Sequence, residues 1–145
     1  MKKPKLVGIN HVALAVGDID KALAFWRAIF DFEIQEEGDG MAFLDMGDQF
    51  IALMESDEPV ADRERHFGLV VDDRTDVLAL AEAAGATIVK DQRVDFLDPW
   101  GNRIQMVEYR DIQFSKTASV LNAMGVDGAK SPSALDELKE KGMTP

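Results

Sequence analysis

Larger aliphatic positions alternate with small or polar ones near the start of the chain. Over Val7–Val16, His11, Ala13 and Ala15 fall on one side, while Val12, Leu14 and Val16 fall on the other. A period of two predicts a strand, with the larger aliphatic side as core. Gly17 and Asp18 interrupt it, and Asp18 has the short carboxylate that suits a helix N-cap. Ile19, Ala22, Leu23, Trp26, Ile29 and Phe30 then recur at helical spacing and form one apolar stripe. Three short strands are predicted next, over Phe32–Glu36, Met41–Met46 and Gln49–Glu55. Gly38–Gly40 and Gly47–Asp48 supply the turn residues between them. Ser56–Glu64 is polar, contains Pro59 and lacks periodicity, so it reads as a linker.

The pattern then restarts. Arg65–Val71 alternates, with His66, Gly68 and Val70 opposite Phe67, Leu69 and Val71. Asp72 and Asp73 break it. Val77, Leu78, Ala81 and Ala84 give a helical stripe that Gly85 is suited to end. Strands follow over Thr87–Lys90, Arg93–Leu97 and Arg103–Tyr109, and Asp98-Pro99-Trp100-Gly101 carries type I turn chemistry between the last two. The unit is β-α-β-β-β, used twice, over about 6–55 and 65–110. The predicted class is α+β: two tandem modules forming a curved, cavity-bearing mixed sheet with helices outside. Residues 111–145 fall outside the repeat as a helical C-terminal extension, with helices over Ser115–Met124 and Ser133–Lys141, the second capped by Ser131 or Ser133.

Each copy carries one histidine near the start of its first strand, and His11 and His66 are the only two in the chain. A repeat that returns a metal-capable side chain to the same local position is the main chemical signal. There is no cysteine, so a metal site here rests on histidine, carboxylate, amide or water. The net charge of −11 disfavours nucleic acid and anionic membranes, because phosphate binding relies on Lys and Arg. No apolar run reaches the ~18–20 residues of a membrane span, and the first residues lack a signal-peptide core, so a cytoplasmic protein is expected.

Among the remaining candidates, Trp26 reads as core and Trp100 as a turn residue that closes a pocket or rests on the extension. Asp45, Asp95 and Tyr109 are candidate polar cavity residues, with a surface position favoured for the two aspartates. No Ser/His/Asp nucleophile pattern or phosphate-binding loop stands out.

The segments "INHVALAVGDIDKALAFW", "HFGLVVDD" and "FLDPWGNRIQMVEY" together resemble the vicinal oxygen chelate superfamily, which includes glyoxalases, fosfomycin-resistance transferases, bleomycin-binding proteins and extradiol dioxygenases. The resemblance spans about Leu6–Tyr109. It implies a divalent metal (Zn, Ni, Fe, Mn or Co) held by His11, His66 and, after the "DPWGN" turn, Gln105. It also implies a homodimer and a small-molecule substrate. The family's second ligand position reads as Ala52, or Met54 after a two-residue shift; Glu55 needs an odd shift and Glu108 a bulge to face inward. Gln105 stands where family members carry a glutamate, and a neutral amide gives a divalent ion no charge compensation. Three readings follow: a metal-assisted lyase or isomerase of a small oxygenated substrate, a metal-free ligand-binding or antibiotic-sequestering protein, and two structural histidines. An extradiol-type dioxygenase is a further alternative, which the missing carboxylate disfavours. No catalytic residue is assigned.

Overall fold

The computed structural model describes residues 9–90 and 94–143. Val7, Gly8 and Arg93, which belong to two of the predicted strands, lie outside the described residues. The first module runs β1 (His11–Val16), α1 (Ile19–Ile29), β2 (Ile34–Gly38), β3 (Met41–Asp45) and β4 (Phe50–Glu55). The second runs β5 (Phe67–Val71), α2 (Val77–Ala83), β6 (Thr87–Val89), β7 (Asp95–Leu97) and β8 (Arg103–Glu108). The tandem β-α-β-β-β pattern is therefore present. The strands form two four-stranded sheets, ordered β1-β4-β3-β2 and β5-β8-β7-β6. In each, the first strand lies parallel beside the last and occupies an edge. Among the described strands the two sheets do not pair with each other.

Asp18 caps α1 as its position predicts: its backbone is extended and its carboxylate accepts the Lys21 N–H at 2.8 Å. Ile19, Ala22, Leu23, Phe25, Trp26 and Ile29 form the buried face. α2 is shorter, and Asp76 at its N-cap makes no side-chain bond. Gly85 ends it with a φ of 96°, a left-handed backbone that glycine adopts without steric cost.

One apolar core serves both modules. Leu14, Val16, Ile51 and Leu53 of the first sheet, Leu69, Phe96, Ile104 and Met106 of the second, and the stripes of α1 and α2 belong to one cluster. Phe25 of α1 meets Phe96 of β7 edge to face at 6.3 Å. Burying a side chain such as Phe96 or Trp26 contributes roughly 1.5–3 kcal/mol, so the modules stabilise one another. Because strand side chains alternate, the faces opposite Leu14 and Leu69 turn away from this core. Those are the faces that carry the histidines.

The Asp98–Asn102 turn clamps the modules. The Gly101 N–H donates to the Asp98 carbonyl at 3.0 Å, closing the predicted turn. Asp98 is buried, and its carboxylate accepts the backbone N–H groups of Trp100 and Asn102 and the side-chain amide of Asn102. Burial pushes its pKa up, and these hydrogen bonds act in the opposite direction. The same Asn102 amide donates to the Ala15 carbonyl of β1 at 2.8 Å. Trp100 lies on Gly17, where a Cβ would come within 2.6 Å of its indole nitrogen. Its environment is thus the end of β1.

Beyond β8, a 3-10 turn (Tyr109–Asp111) leads to α3 (Ala118–Met124) and α4 (Pro132–Glu140). Thr117 and Ser131 cap these helices. Tyr109 is buried here and covered by Lys130, whose ammonium sits 3.3 Å from the ring centroid; it is a packing residue of the extension. Lys130 also donates to the carbonyls of Tyr109, Ile112 and Phe114. α3 returns to the first module: Lys116 pairs with Asp48, and Met124 and Val120 lie against Gly47.

Candidate metal centre

His11 opens β1 on the outward face and is exposed. Its ring stacks on Phe50 of β4, with centroids 4.7 Å apart and planes 13° from parallel. Phe50 in turn meets Phe43 of β3 at 4.9 Å. The His11 Nδ1 lies 3.0 Å from the Asn10 side-chain oxygen. An amide oxygen only accepts, so Nδ1 carries the proton and Nε2 the lone pair when the ring is neutral.

His66 immediately precedes β5 and is also exposed. Its Nδ1 lies 2.9 Å from the Glu64 carbonyl. A carbonyl cannot donate, so the neutral ring again presents Nε2 as its lone-pair nitrogen. Both histidines therefore have a hydrogen bond of the kind that holds a ligating imidazole in one tautomer and orientation.

Gln105 is half-buried on β8, in register with Gly68 of β5 and Asp95 of β7. Paired residues share a face, so Gln105 stands on the same side as His66, two residues before Gly68. Gly68 leaves space beside it: a Cβ there would meet only Val107, at 3.9 Å. Alternation thus sets His66 and Gln105 on the same face of the second sheet. His11 belongs to the other sheet, and both faces turn away from the common core. Among the described residues, no group of three or more His, Asp or Glu side chains is disposed to hold a metal ion.

The other positions weighed from sequence are also placed. Ala52 pairs with Ala13, and Met54 with Ala15, so both share the His11 face. Glu55 pairs with Val16, on the opposite side, and accepts the Ile19 N–H at 3.3 Å. Glu108 pairs with Val71, opposite in alternation to Gln105, and its carboxylate faces Arg74 at 3.8 Å. Asp95 departs from the surface expected of it. It is fully buried, and its Oδ2 accepts from Arg103 Nε at 3.0 Å and Nη2 at 2.7 Å. The missed signal was Arg103 itself, which alternation sets on the same face of the neighbouring strand.

The sequence profile of the Glyoxalase/Bleomycin resistance protein/Dioxygenase superfamily matches residues 8–111. A glutathione transferase FosA from Serratia marcescens is 28% identical over 113 residues, covering 70% of this chain and 80% of that protein. The fosfomycin resistance protein FosX from Listeria monocytogenes superposes with a TM-score of 0.61 at 17% identity, covering 80% of this chain and 98% of that one. A point mutant of the same FosX, complexed with Mn(II) and 1S,2S-dihydroxypropylphosphonic acid, also gives 0.61, at 18% identity, covering 70% and 90%. An integron cassette protein from V. cholerae gives 0.56 at 24% identity, covering 74% and 99%. The duplicated module, the histidine at the head of each first strand and the profile match over most of its length agree: the chain belongs to the Glyoxalase/Bleomycin resistance protein/Dioxygenase superfamily.

Proposed function

We propose that this protein is a metal-assisted lyase or isomerase of a small oxygenated substrate, with His11, His66 and Gln105 as metal ligands and two copies of the chain combining to form each site. The observation that carries the reading is the Nδ1 hydrogen bond of each histidine, of the kind that orients a ligating imidazole. The donor set of two imidazoles and an amide oxygen suits a borderline divalent cation. Such an ion, when bound, supplies Lewis-acid polarisation of substrate oxygens. The chain's own part is to orient the ligands and to provide apolar walls, Phe50 and Phe43 beside His11, that keep bulk water from the substrate. A Mn(II) complex of the FosX mutant is in keeping with divalent-metal use in the superfamily.

The need for two copies follows from the outward faces. A two-fold axis that sets the His11 face of one chain against the His66–Gln105 face of its partner does so twice, closing both sites at once. The test is metal content with complementation. Protein purified without chelator is expected to hold about one ion per chain, and His11→Ala or His66→Ala to abolish it. Refolding the two variants together should restore metal to half of the sites in each mixed dimer, since such a dimer rebuilds one complete pair. Wild-type protein with less than about a tenth of an equivalent, and none taken up on titration, would overturn the metal reading. Metal lost in both variants without recovery on mixing would overturn the shared site. A metal-free ligand-binding protein is the second reading, favoured by the neutral amide at Gln105.

A further inference from the structure

We infer that the ligand of the His11 face carries a flat, uncharged or cationic ring and is not a phosphonate or other small anion. This deepens the proposed function, resting on its assignment of the outward faces as the ligand site.

Arg103 is the only lysine or arginine within the described strands, which carry Glu36, Glu37, Asp45, Glu55, Asp95 and Glu108. Arg103 is already committed, with two donors on Asp95 and Nη1 on the Arg63 carbonyl at 2.9 Å. Lys116 is the cation that the extension brings toward the His11 end, and it is ion-paired with Asp48. Arg63 and Arg65 of the linker are exposed, and Arg65 pairs with Asp62 at 2.7 Å. Beyond the charge of a bound metal ion, a dianion desolvated against these faces would gain little counter-charge from side chains, a costly arrangement in a site of low dielectric. The net charge of −11 adds to the repulsion at longer range.

Along β1 the exposed strip is floored by Ala13 and Ala15, whose side chains end at a methyl group. Beside it rise the His11–Phe50–Phe43 ring series and the half-exposed Met54. Small residues on one strand flanked by rings and a polarisable thioether on the next make an apolar strip with aromatic sides. Such a surface favours a planar ring, through edge or face contacts and through attraction of a cation to the ring quadrupoles.

The experiment measures binding of three probes to the purified protein, with and without added divalent metal: proflavine (a planar cation), anthraquinone-2-sulfonate (a planar anion) and methylphosphonate. Proflavine is expected to bind saturably, at least about tenfold tighter than the sulfonate, and methylphosphonate not to compete. Phe43→Ala, which leaves the His11–Phe50 stack in place, should weaken proflavine at least about fivefold while the far-ultraviolet spectrum and any metal content stay unchanged. Phe50→Leu, which keeps an apolar side chain there, provides a second variant with the same expected direction. Methylphosphonate binding as tight as proflavine, or proflavine binding untouched in both folded variants, would overturn the inference. Because proflavine binding requires no metal, its outcome is separate from that of the metal and complementation tests.

Discussion

The two outward faces derive from the same module and share a frame, yet their chemistry differs row by row. The first sheet sets His11 level with Phe50 and Asp45, and in the next row Ala13 with Ala52 and Phe43. In the second sheet, the row after His66 holds Gly68, Gln105 and Asp95, and Arg103 precedes Gln105 on the same face. Rings and methyl groups stand beside one histidine; an amide, a buried carboxylate and a guanidinium stand near the other. Core positions tolerate only apolar side chains in both copies, so divergence between repeats is concentrated on the faces the core does not use. One copy presents rings and methyl groups on this face, the other polar and charged side chains.

The largest test of that contrast is stability. Asp95→Ala removes the carboxylate that accepts two donors of a guanidinium whose own side chain is only 12% exposed, and should cost about 3–5 kcal/mol. Phe43→Ala, at the equivalent row of the first sheet, truncates a half-buried ring and should cost about 1–2 kcal/mol. Urea denaturation of both variants measures the difference, and equal losses would mean that the polar face is no more tightly built than the apolar one.

Gln105→Glu sharpens the comparison in the second sheet. The new carboxylate would stand directly across from the buried Asp95, so the metal-free variant should melt below wild type. If the metal reading holds, added divalent ion should reverse the loss and bind about tenfold tighter than to wild type, because the ligand now carries charge. Isothermal titration reads the affinity. A variant that is destabilised and takes up no metal would assign Gln105 to packing alone.

The smallest effect belongs to the extension. Burial pulls the Lys130 amine down to about 8. That value lies below the ~10.4 of an unfolded lysine. Between these values the unfolded chain holds the proton that the folded chain releases. This group's contribution to stability therefore rises with pH across the window and is absent below it. The three carbonyls and the Tyr109 ring that surround the ammonium oppose the trend by favouring the charged form. Lys130→Met should flatten the slope of stability between about pH 8 and ~10.4, as followed by thermal melts.

Much of this was legible in the sequence because local rules and the core agreed. Asp18 caps α1, the stripe from Ile19 is buried, Gly85 ends α2 and the Asp98–Gly101 turn closes as its residues dictate. Boundaries moved by a few residues at element ends: Phe32–Glu36 became Ile34–Gly38, and Ser115–Met124 became Ala118–Met124. Alternation also assigned Gln105, Ala52 and Met54 to the histidine faces and excluded Glu108. What alternation could not give was the relation between the two sheets. Periodicity identifies which side of a strand is apolar, but not which element covers it. In this chain one core serves both modules, and the histidine faces are left outward. Asp95 was misread for a related reason: a carboxylate reads as surface until the guanidinium that permits its burial is seen across the strand.

The Asn102–Ala15 hydrogen bond has a consequence for assembly. The Val16 carbonyl accepts from Ser56 on the β4 side, so the Ala15 carbonyl points to the open side of β1, where the Asn102 amide takes it. β1 is an edge strand, and an edge with a free ladder recruits further strands without limit. By occupying the last outward carbonyl, one side-chain amide shortens the available edge and gives strand pairing a stopping point. That amide thereby counts against open-ended strand addition along this edge.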